Sequence, residues 1–181
     1  MTDDSTDTLL AQGYRACREH RLVDAQSCFA GVVELYRGAG DQPHLAHALT
    51  GLGQIARDLG DTATAVQHYR TAVDLYRTQS DPLALAHAVR HLADIHRNRG
   101  ELAESAQCYE EALGIYREAS EARPLDLANA IRGYALLKAR LGDSHEAAQL
   151  WHRAAELYES VGVEAGVAES KAQIAILTAE G

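Results

Sequence analysis

The chain of 181 residues has few cysteines, few prolines and few aromatic residues, and it has no long apolar run. Cys17, Cys28 and Cys108 match no CxxC spacing, which argues against a disulfide framework and against a structural zinc site. Three prolines and 14 glycines are too few for a low-complexity or collagen-like chain. No stretch reaches the roughly 20 apolar residues that span a bilayer, and residues 1–7 are acidic where a secretory leader is basic. We therefore expect a globular cytoplasmic protein with no membrane contact.

Basic residues are also scarce, because 17 Lys and Arg face 26 Asp and Glu, for a net charge of −9. Binding to nucleic acid depends on a cationic surface, so the composition argues against nucleic acid as the main partner. All but two of the basic residues are arginines, Lys138 and Lys171 being the exceptions. This bias is typical of a G+C-rich genome and predicts a bacterial origin.

What the sequence does contain is an internal repeat of about 40 residues. A tyrosine recurs at intervals of 40, 40 and 42 residues, at Tyr36, Tyr76, Tyr116 and Tyr158. Residues 41–80 laid over residues 81–120 without gaps give sixteen identities. Self-similarity of this kind indicates an array of equivalent structural units.

Each unit has the pattern of two helices joined by a tight turn. Apolar residues between Ala65 and Tyr76 follow the i, i+4, i+7, i+8, i+11 spacing of one helical face. Before them, Gly60 is suited to a left-handed helix end and Asp61 to a helix start. Gly100 and Gly142 predict the same turn in the later units, where Asp143–Glu146 has the pattern of a capping box.

The second half of every unit has a small residue four positions before an aromatic one, at Ala25/Phe29, Ala65/Tyr69, Ser105/Tyr109 and Ala147/Trp151. The first halves carry Leu52-Gly53, with Leu92-Ala93 and Tyr134-Ala135 as variants. In these signatures the chain resembles the tetratricopeptide repeat family, in a branch with long repeats, over roughly residues 8–178. The resemblance implies an all-α fold, a right-handed α-solenoid in which the aromatic side chains fill the space between units.

The resemblance and the period together predict a single array over residues 1–181. Four helix-turn-helix repeats are expected at about 8–40, 41–80, 81–122 and 123–162. A solitary capping helix is expected at about 164–179, where Lys171 occupies a column that is apolar in earlier units, as at Ile131. We expect this cap to be polar on its outer side.

In this family the first helices line a concave groove, so the resemblance implies that a protein or peptide segment contacts their polar side chains. The resulting candidate partner-binding residues are His47, Thr50, Gln54, Arg57, His87, Arg90, Asp94, Arg97, Asn98, Asn129, Arg132 and Arg140.

Charge is divided unequally between the two sets of helices. The three first helices between residues 43 and 141 carry seven basic and three acidic residues, whereas the four second helices carry thirteen acidic and five basic residues. Because guanidinium groups bind carboxylates through forked donors, one interpretation is that the groove binds an acidic segment. The other is a solvated face whose arginines pair locally, with Asp58, Asp94 and Asp126.

A histidine cluster raises a metal-binding alternative. His87 and His91 are four residues apart, Asp94 lies one turn further, and His47 occupies the column equivalent to His87. These residues are candidate ligands for zinc or nickel, and the alternative function is a metal- or small-ligand-binding regulatory sensor. No CxxC or HExxH motif accompanies them, so we predict no metal site and no cofactor.

Motifs of catalysis are also missing from the sequence. It contains no GxSxG motif and no glycine loop that would cradle a phosphate. We therefore predict a noncatalytic protein-protein interaction scaffold and not an enzyme.

Overall fold

A computed structural model describes residues 3–179 and the side chains of residues 5–179. In this part of the chain there are nine α-helices and no strands: α1 (Asp3–Arg18), α2 (Leu22–Ala39), α3 (Gln42–Asp58), α4 (Thr62–Arg77), α5 (Pro82–Arg99), α6 (Leu102–Glu118), α7 (Pro124–Arg140), α8 (Ser144–Ser160) and α9 (Glu164–Ala179). None of these helices is long and apolar enough to cross a membrane. The predicted all-α helix-turn-helix fold is confirmed.

We call α1, α3, α5 and α7 the first helices, and α2, α4, α6 and α8 the second helices. The chain divides into two compact units, Met1–Ala88 and Val89–Gly181, with the boundary inside α5. In the first unit consecutive helices from α1 to α4 pack against one another, and in the second unit those from α6 to α9 do so. The single array over residues 1–181 stays a prediction.

Aspartate side chains cap the starts of several helices. The carboxylates of Asp41, Asp61 and Asp143 accept hydrogen bonds of 3.2, 3.0 and 3.1 Å from the main-chain N–H three residues later. Of the two hydrogen bonds of the capping box predicted at Asp143–Glu146, only the one from the Glu146 N–H to the Asp143 carboxylate forms. The Asp143 N–H already donates to the Lys138 carbonyl at 3.0 Å, and the Glu146 carboxylate contacts Lys138 Nζ at 2.8 Å.

Glycines with positive φ end the first helices, as predicted. Gly60, Gly100 and Gly142 have φ of 84°, 81° and 84°, and His20 in the equivalent column has φ of 55°. At the first of these turns the Gly60 N–H donates to the Arg57 carbonyl at 2.9 Å, which satisfies a carbonyl at the helix end. The chain reverses here and the second helix begins two residues later.

Close packing of aromatic side chains against glycines brings first and second helices together. Tyr69 and Tyr109 are fully buried. A Cβ atom on Gly53 would lie 2.9 Å from the Tyr69 ring, and one on Gly133 would lie 2.5 Å from the Tyr109 hydroxyl. Tyr109 of α6 thus packs against α7 of the next repeat, as the sequence predicted, whereas Tyr69 of α4 approaches α3 of its own repeat. Glycine makes both approaches possible.

Candidate functional site

In the first unit, two candidate residues of α3 meet a tyrosine of α4. The Tyr76 hydroxyl lies 3.0 Å from His47 Nδ1 and 3.3 Å from Thr50 Oγ1. Thr50 also donates to the Ala46 carbonyl at 3.0 Å. Burial of the Tyr76 ring raises the pKa of its hydroxyl, so the hydroxyl stays protonated and is available as a donor. The imidazole of His47 is 58% exposed and can still reach a ligand.

The remaining candidates of α3 lie apart from this cluster. The Arg57 guanidinium contacts the neighbouring Asp58 carboxylate at 2.8 Å. Gln54 is exposed beside a cavity of about 290 Å³ whose lining includes Tyr14, Phe29 and Asp58. These side chains do not form a continuous arginine surface within the first unit.

In the second unit, three candidate residues of α5 form a connected polar network with Tyr109 of α6. Asp94 accepts a hydrogen bond from Arg90 Nη1 at 3.0 Å and another from the Tyr109 hydroxyl at 2.5 Å. Arg97 Nη1 donates to the Tyr109 hydroxyl at 2.9 Å and to the Gly133 carbonyl of α7 at 3.0 Å. The side chains of Arg90 and Arg97 are only 12% and 13% exposed, so much of their donor capacity is used within the protein.

Arg132 of α7 is more accessible than these arginines and is bound by a carboxylate. Its Nε and Nη2 atoms donate to the two carboxylate oxygens of Glu169 at 2.7 and 2.6 Å. The Arg132 side chain is 37% exposed, and the hydrogen bonds to Glu169 raise its pKa. Asn129, one turn earlier, accepts a hydrogen bond of 2.9 Å from the Tyr158 hydroxyl of α8.

Three further candidates of α5 and α7 have more peripheral places. Arg140 Nη1 donates to the Arg97 carbonyl at 2.7 Å, which ties the ends of α7 and α5 together. Asn98 is exposed and lies 3.4 Å from Arg97 Nη2, whereas His87 is half-buried. Arg140 therefore contributes to the packing of the helix ends, and Asn98 lies beside Arg97 at the edge of the polar network.

Burial raises the pKa of the Tyr109, Tyr116 and Tyr158 hydroxyls in the second unit above the ordinary value. Burial raises the pKa of Tyr109, and the adjacent Asp94 carboxylate raises it further. Burial likewise raises the pKa of Tyr158, and it raises that of Tyr116 to about 12. The Tyr109 and Tyr158 hydroxyls act as hydrogen-bond donors, to Asp94 and to Asn129.

Local pairing, one of the two interpretations of the arginine-rich helices, accounts for most of their contacts. Arg57 pairs with Asp58, Arg90 pairs with Asp94, and Asp126 pairs with Arg123 at 2.7 Å. In the second unit Arg90 and Arg97 contact the Asp94 carboxylate at 3.0 and 3.5 Å, and Arg132 contacts the Glu169 carboxylate at 2.6 Å. These three guanidinium groups and two carboxylates together carry one net positive charge.

The histidine cluster is not arranged as a metal site. Among the described residues, no group of three or more His, Cys, Asp or Glu side chains could hold a metal ion. His47 is bound to Tyr76, and His91 is buried with its Nε2 atom 2.8 Å from Arg90 Nη2. A neighbouring guanidinium group disfavours a cation at that nitrogen. The candidates His47, His87, His91 and Asp94 do not form such a group among the described residues.

Sequence reasoning did not include Glu169 or the tyrosine hydroxyls among the site residues. The sequence did contain a signal for the tyrosines, because Tyr76 and Tyr158 both follow a polar residue, His47 and Asn129, at the same spacing of 29 residues. In the structure each tyrosine hydroxyl forms a hydrogen bond with that residue. At Tyr76 and Tyr158 this column therefore marks a polar contact with a first helix as well as packing. Glu169 gives no such signal, because its contact with Arg132 joins α9 to α7.

Comparisons with known proteins agree with this fold. Family models described as Tetratricopeptide repeat match residues 5–78 and residues 85–124, which together are more than half of the chain. No curated protein matches the sequence.

Three solved structures are similar over most of the chain. BtubC (BKLC) from P. vanneervenii has a TM-score of 0.80 at 17% identity, over 90% of this chain and 66% of that protein. The apo form of RapI has a TM-score of 0.80 at 13% identity, over 97% of this chain and 48% of that one. A kinesin light chain of Podosopora anserina with nearly identical TPR-like repeats has a TM-score of 0.68 at 15% identity, over 96% and 95%.

The present chain spans less than two thirds of the length of the first two proteins. At identities this low, the structural similarity shows a common fold and nothing more specific. Family match, recurring signatures and helix order lead to the same assignment. The chain belongs to the tetratricopeptide repeat family.

Proposed function

We propose that this protein is a noncatalytic interaction scaffold that binds an acidic protein segment on the first-helix face of its second unit. The family is generally a protein-interaction fold, and repeat proteins of this kind bind partners along extended surfaces. The cytoplasmic location and the bacterial origin indicated by composition stay predictions.

The observation that carries the proposal is the contact between Arg132 and Glu169. A carboxylate occupies both donors of the guanidinium fork at 2.6 and 2.7 Å, and both side chains are about one third exposed. The carboxylate of a bound segment can take this position if Glu169 turns away, because the same two donors serve any carboxylate. Arg90 and Arg97 of the same unit, which both pair with Asp94, add one net positive charge.

The expected affinity follows from the exposure of these groups. Exposed ion pairs contribute only about 1 kcal/mol each, because water competes for the same donors. A segment that engages several of them should bind with a dissociation constant of roughly 1 μM, or about −8 kcal/mol. Glu169 competes for Arg132, so its removal should strengthen binding.

The test is a titration of a fluorescent peptide rich in Glu and Asp against the full chain, with a basic peptide of equal length for comparison. Arg132→Gln should weaken binding of the acidic peptide about fivefold, and Glu169→Gln should strengthen it about fivefold. Arg153→Gln, which removes an exposed arginine of α8, is the matched control and should change nothing.

Equal binding of acidic and basic peptides by the parent and by Arg132→Gln would refute the proposal. Loss of binding in Arg153→Gln as well as in Arg132→Gln would indicate a nonspecific effect of net charge.

A further inference from the structure

A cavity of the first unit lies where the ends of α1 and α3 come together. It is the cavity of about 290 Å³ beside Gln54, and Phe29 and Ile55 form part of its apolar lining. Asp58 is the one charged side chain among the described residues that line it, with His20 counted as neutral. A cation that enters this space therefore meets a carboxylate.

Aromatic rings form one wall of the cavity. The rings of Tyr14 and Phe29 meet edge to face, with their centroids 5.2 Å apart. On α3, Gly51 has no side chain, and a Cβ there would lie 3.0 Å from the Phe29 ring. Tyr14 is 55% exposed, so a ligand can reach this wall from solvent.

The internal repeat shows what fills the equivalent space in the second unit. Two repeat periods, 80 or 82 residues, relate five lining residues to five residues of that unit: Tyr14 to Asp94, Cys17 to Arg97, Phe29 to Tyr109, Gly51 to Gly133 and Asp58 to Arg140.

In the second unit this space holds the side chains of two arginines. Arg97 Nη1 donates to the Tyr109 hydroxyl at 2.9 Å and to the Gly133 carbonyl at 3.0 Å. Arg140 Nη1 donates to the Arg97 carbonyl at 2.7 Å. The first unit has a short cysteine and an aspartate in the same two columns, which leaves the space open and changes its charge.

The charges near the cavity include two arginines besides Asp58. Burial raises the pKa of the Cys17 thiol, the Asp58 carboxylate raises it further, and Arg18 lowers it. Asp58 Oδ1 accepts hydrogen bonds from Nε and Nη2 of Arg57 at 3.1 and 2.8 Å. An incoming guanidinium group would therefore share the Asp58 carboxylate with Arg57.

The second unit shows that one carboxylate can serve two guanidinium groups. Asp94 contacts both Arg90 and Arg97, at 3.0 and 3.5 Å. Asp58 with Arg57 and one further arginine would have the same ratio of charges. A guanidinium group also suits the rest of the cavity better than an ammonium group, because its flat face stacks on an aromatic ring while its edge donates several hydrogen bonds.

We propose that this cavity is a binding pocket for an arginine side chain of a partner protein. The guanidinium group stacks on Tyr14, donates to the Asp58 carboxylate and to the Gly51 carbonyl, and takes the place that Arg97 has in the second unit. The pocket belongs to the first unit, and it does not depend on the Arg132 site or on the acidic segment proposed above.

The probe is a labelled five-residue peptide of glycine and serine with one arginine at its centre, titrated against the full chain. Two peptides of the same length carry lysine or citrulline instead. The arginine peptide should bind about fivefold more tightly than either, because lysine lacks the planar fork and citrulline lacks the charge.

Variants of the lining locate the binding. Asp58→Asn should weaken binding of the arginine peptide about tenfold through loss of the carboxylate. Cys17→Arg should abolish binding, because it places in the cavity the side chain that Arg97 provides in the second unit. Asp74→Asn, which removes a carboxylate that pairs with Arg77 at 3.8 Å, is the matched control and should leave binding unchanged.

Arg57→Gln tests the sharing of the carboxylate and should strengthen binding, because it removes the competing guanidinium group. Circular dichroism of each variant checks that the fold is retained.

Three results would overturn the proposal: no binding of the arginine peptide by the folded parent, equal binding of the three peptides, or unchanged binding by folded Asp58→Asn and Cys17→Arg. The outcome is independent of the acidic-peptide titration, in which Arg132 and not Asp58 is the critical residue.

Discussion

At the scale of single residues, Tyr109 joins the packing of the repeat to the polar network of the candidate site. Its ring is fully buried between helices, while its hydroxyl donates to Asp94 and accepts from Arg97. The repeat signature identified this residue as a packing residue only.

Replacement of Tyr109 should separate these two contributions. Tyr109→Phe keeps the ring and should lower the free energy of unfolding by about 1–3 kcal/mol, because Asp94 and Arg97 lose a buried partner. Tyr109→Ala also leaves a cavity and should cost about 3–5 kcal/mol. Urea unfolding measures both. Tyr14→Phe, at a tyrosine that is 55% exposed, is the control and should stay within about 0.5 kcal/mol of the parent.

Two helical glycines should respond in opposite ways to alanine. A Cβ on Gly133 would meet the Tyr109 hydroxyl at 2.5 Å, so Gly133→Ala should destabilise the protein by about 1–3 kcal/mol. A Cβ on Gly114 would meet nothing within 4 Å, so Gly114→Ala should stabilise α6 by up to about 1 kcal/mol. Equal midpoints of thermal unfolding for the two variants would contradict the close approach of α7 to Tyr109.

At the scale of helices, the ends are specified by short-range chemistry. Several helices begin at an aspartate whose carboxylate accepts a hydrogen bond from a main-chain N–H. The first helices α3, α5 and α7 are each followed by a glycine with positive φ. These contacts involve residues close in sequence. Helix boundaries could therefore be predicted from sequence more reliably than the contacts between helices.

The turn at Gly100 provides a test of this account. Because its φ is 81°, Gly100→Ala should destabilise the protein by about 1 kcal/mol through strain in the left-handed conformation. Gly38→Ala, within α2, meets no atom within 4 Å and should be neutral or stabilising. Chemical denaturation of both variants measures the difference, and equal destabilisation would argue against strain at the turn.

The cap of α4 should make stability depend on pH. Hydrogen bonds from the Thr64 side chain and N–H lower the pKa of Asp61 below its ordinary value. A carboxylate whose pKa is lower in the folded state stabilises the fold above its unfolded pKa, and this contribution is lost as the pH falls through the folded pKa.

Between about pH 5 and about pH 2, the parent should lose more stability than Asp61→Asn, because asparagine caps the helix without titrating. Asp74→Asn removes an exposed carboxylate from the same helix and should retain the pH dependence of the parent. Parallel pH profiles for the parent and Asp61→Asn would contradict the role of the cap.

At the scale of the whole molecule, a net charge of −9 coexists with a local excess of arginine on the second unit. The excess charge of Arg90, Arg97 and Arg132 is partly neutralised by Asp94 and Glu169. The acidic segment that we propose as a partner is therefore expected to be attracted only over short distances. Binding should be sensitive to the ionic strength that screens these partly exposed pairs.

Raising salt from about 0.05 M to about 0.5 M should weaken acidic-peptide binding several-fold, because a shorter screening length weakens the attraction between partly exposed charges. Fluorescence anisotropy at several salt concentrations measures this dependence. Arg132→Gln should show a smaller change, since it has one charge fewer at the site. An affinity independent of salt would argue that the peptide binds through apolar contacts.

Sequence alone determined the period, the nine helices of residues 3–179 and the glycine turns, because these depend on spacing along the chain and on contacts within a few residues. Tertiary structure decided which partners the arginines have. Arg97 reaches the Gly133 carbonyl and Arg132 reaches Glu169, over separations of 36 and 37 residues. Such contacts depend on how each helix is rotated and on which rotamer each long side chain adopts, and neither is fixed by a local pattern. The same rotation buries Ser170 and exposes Lys171, two adjacent residues of α9 whose contrast follows from which side of the helix meets α8.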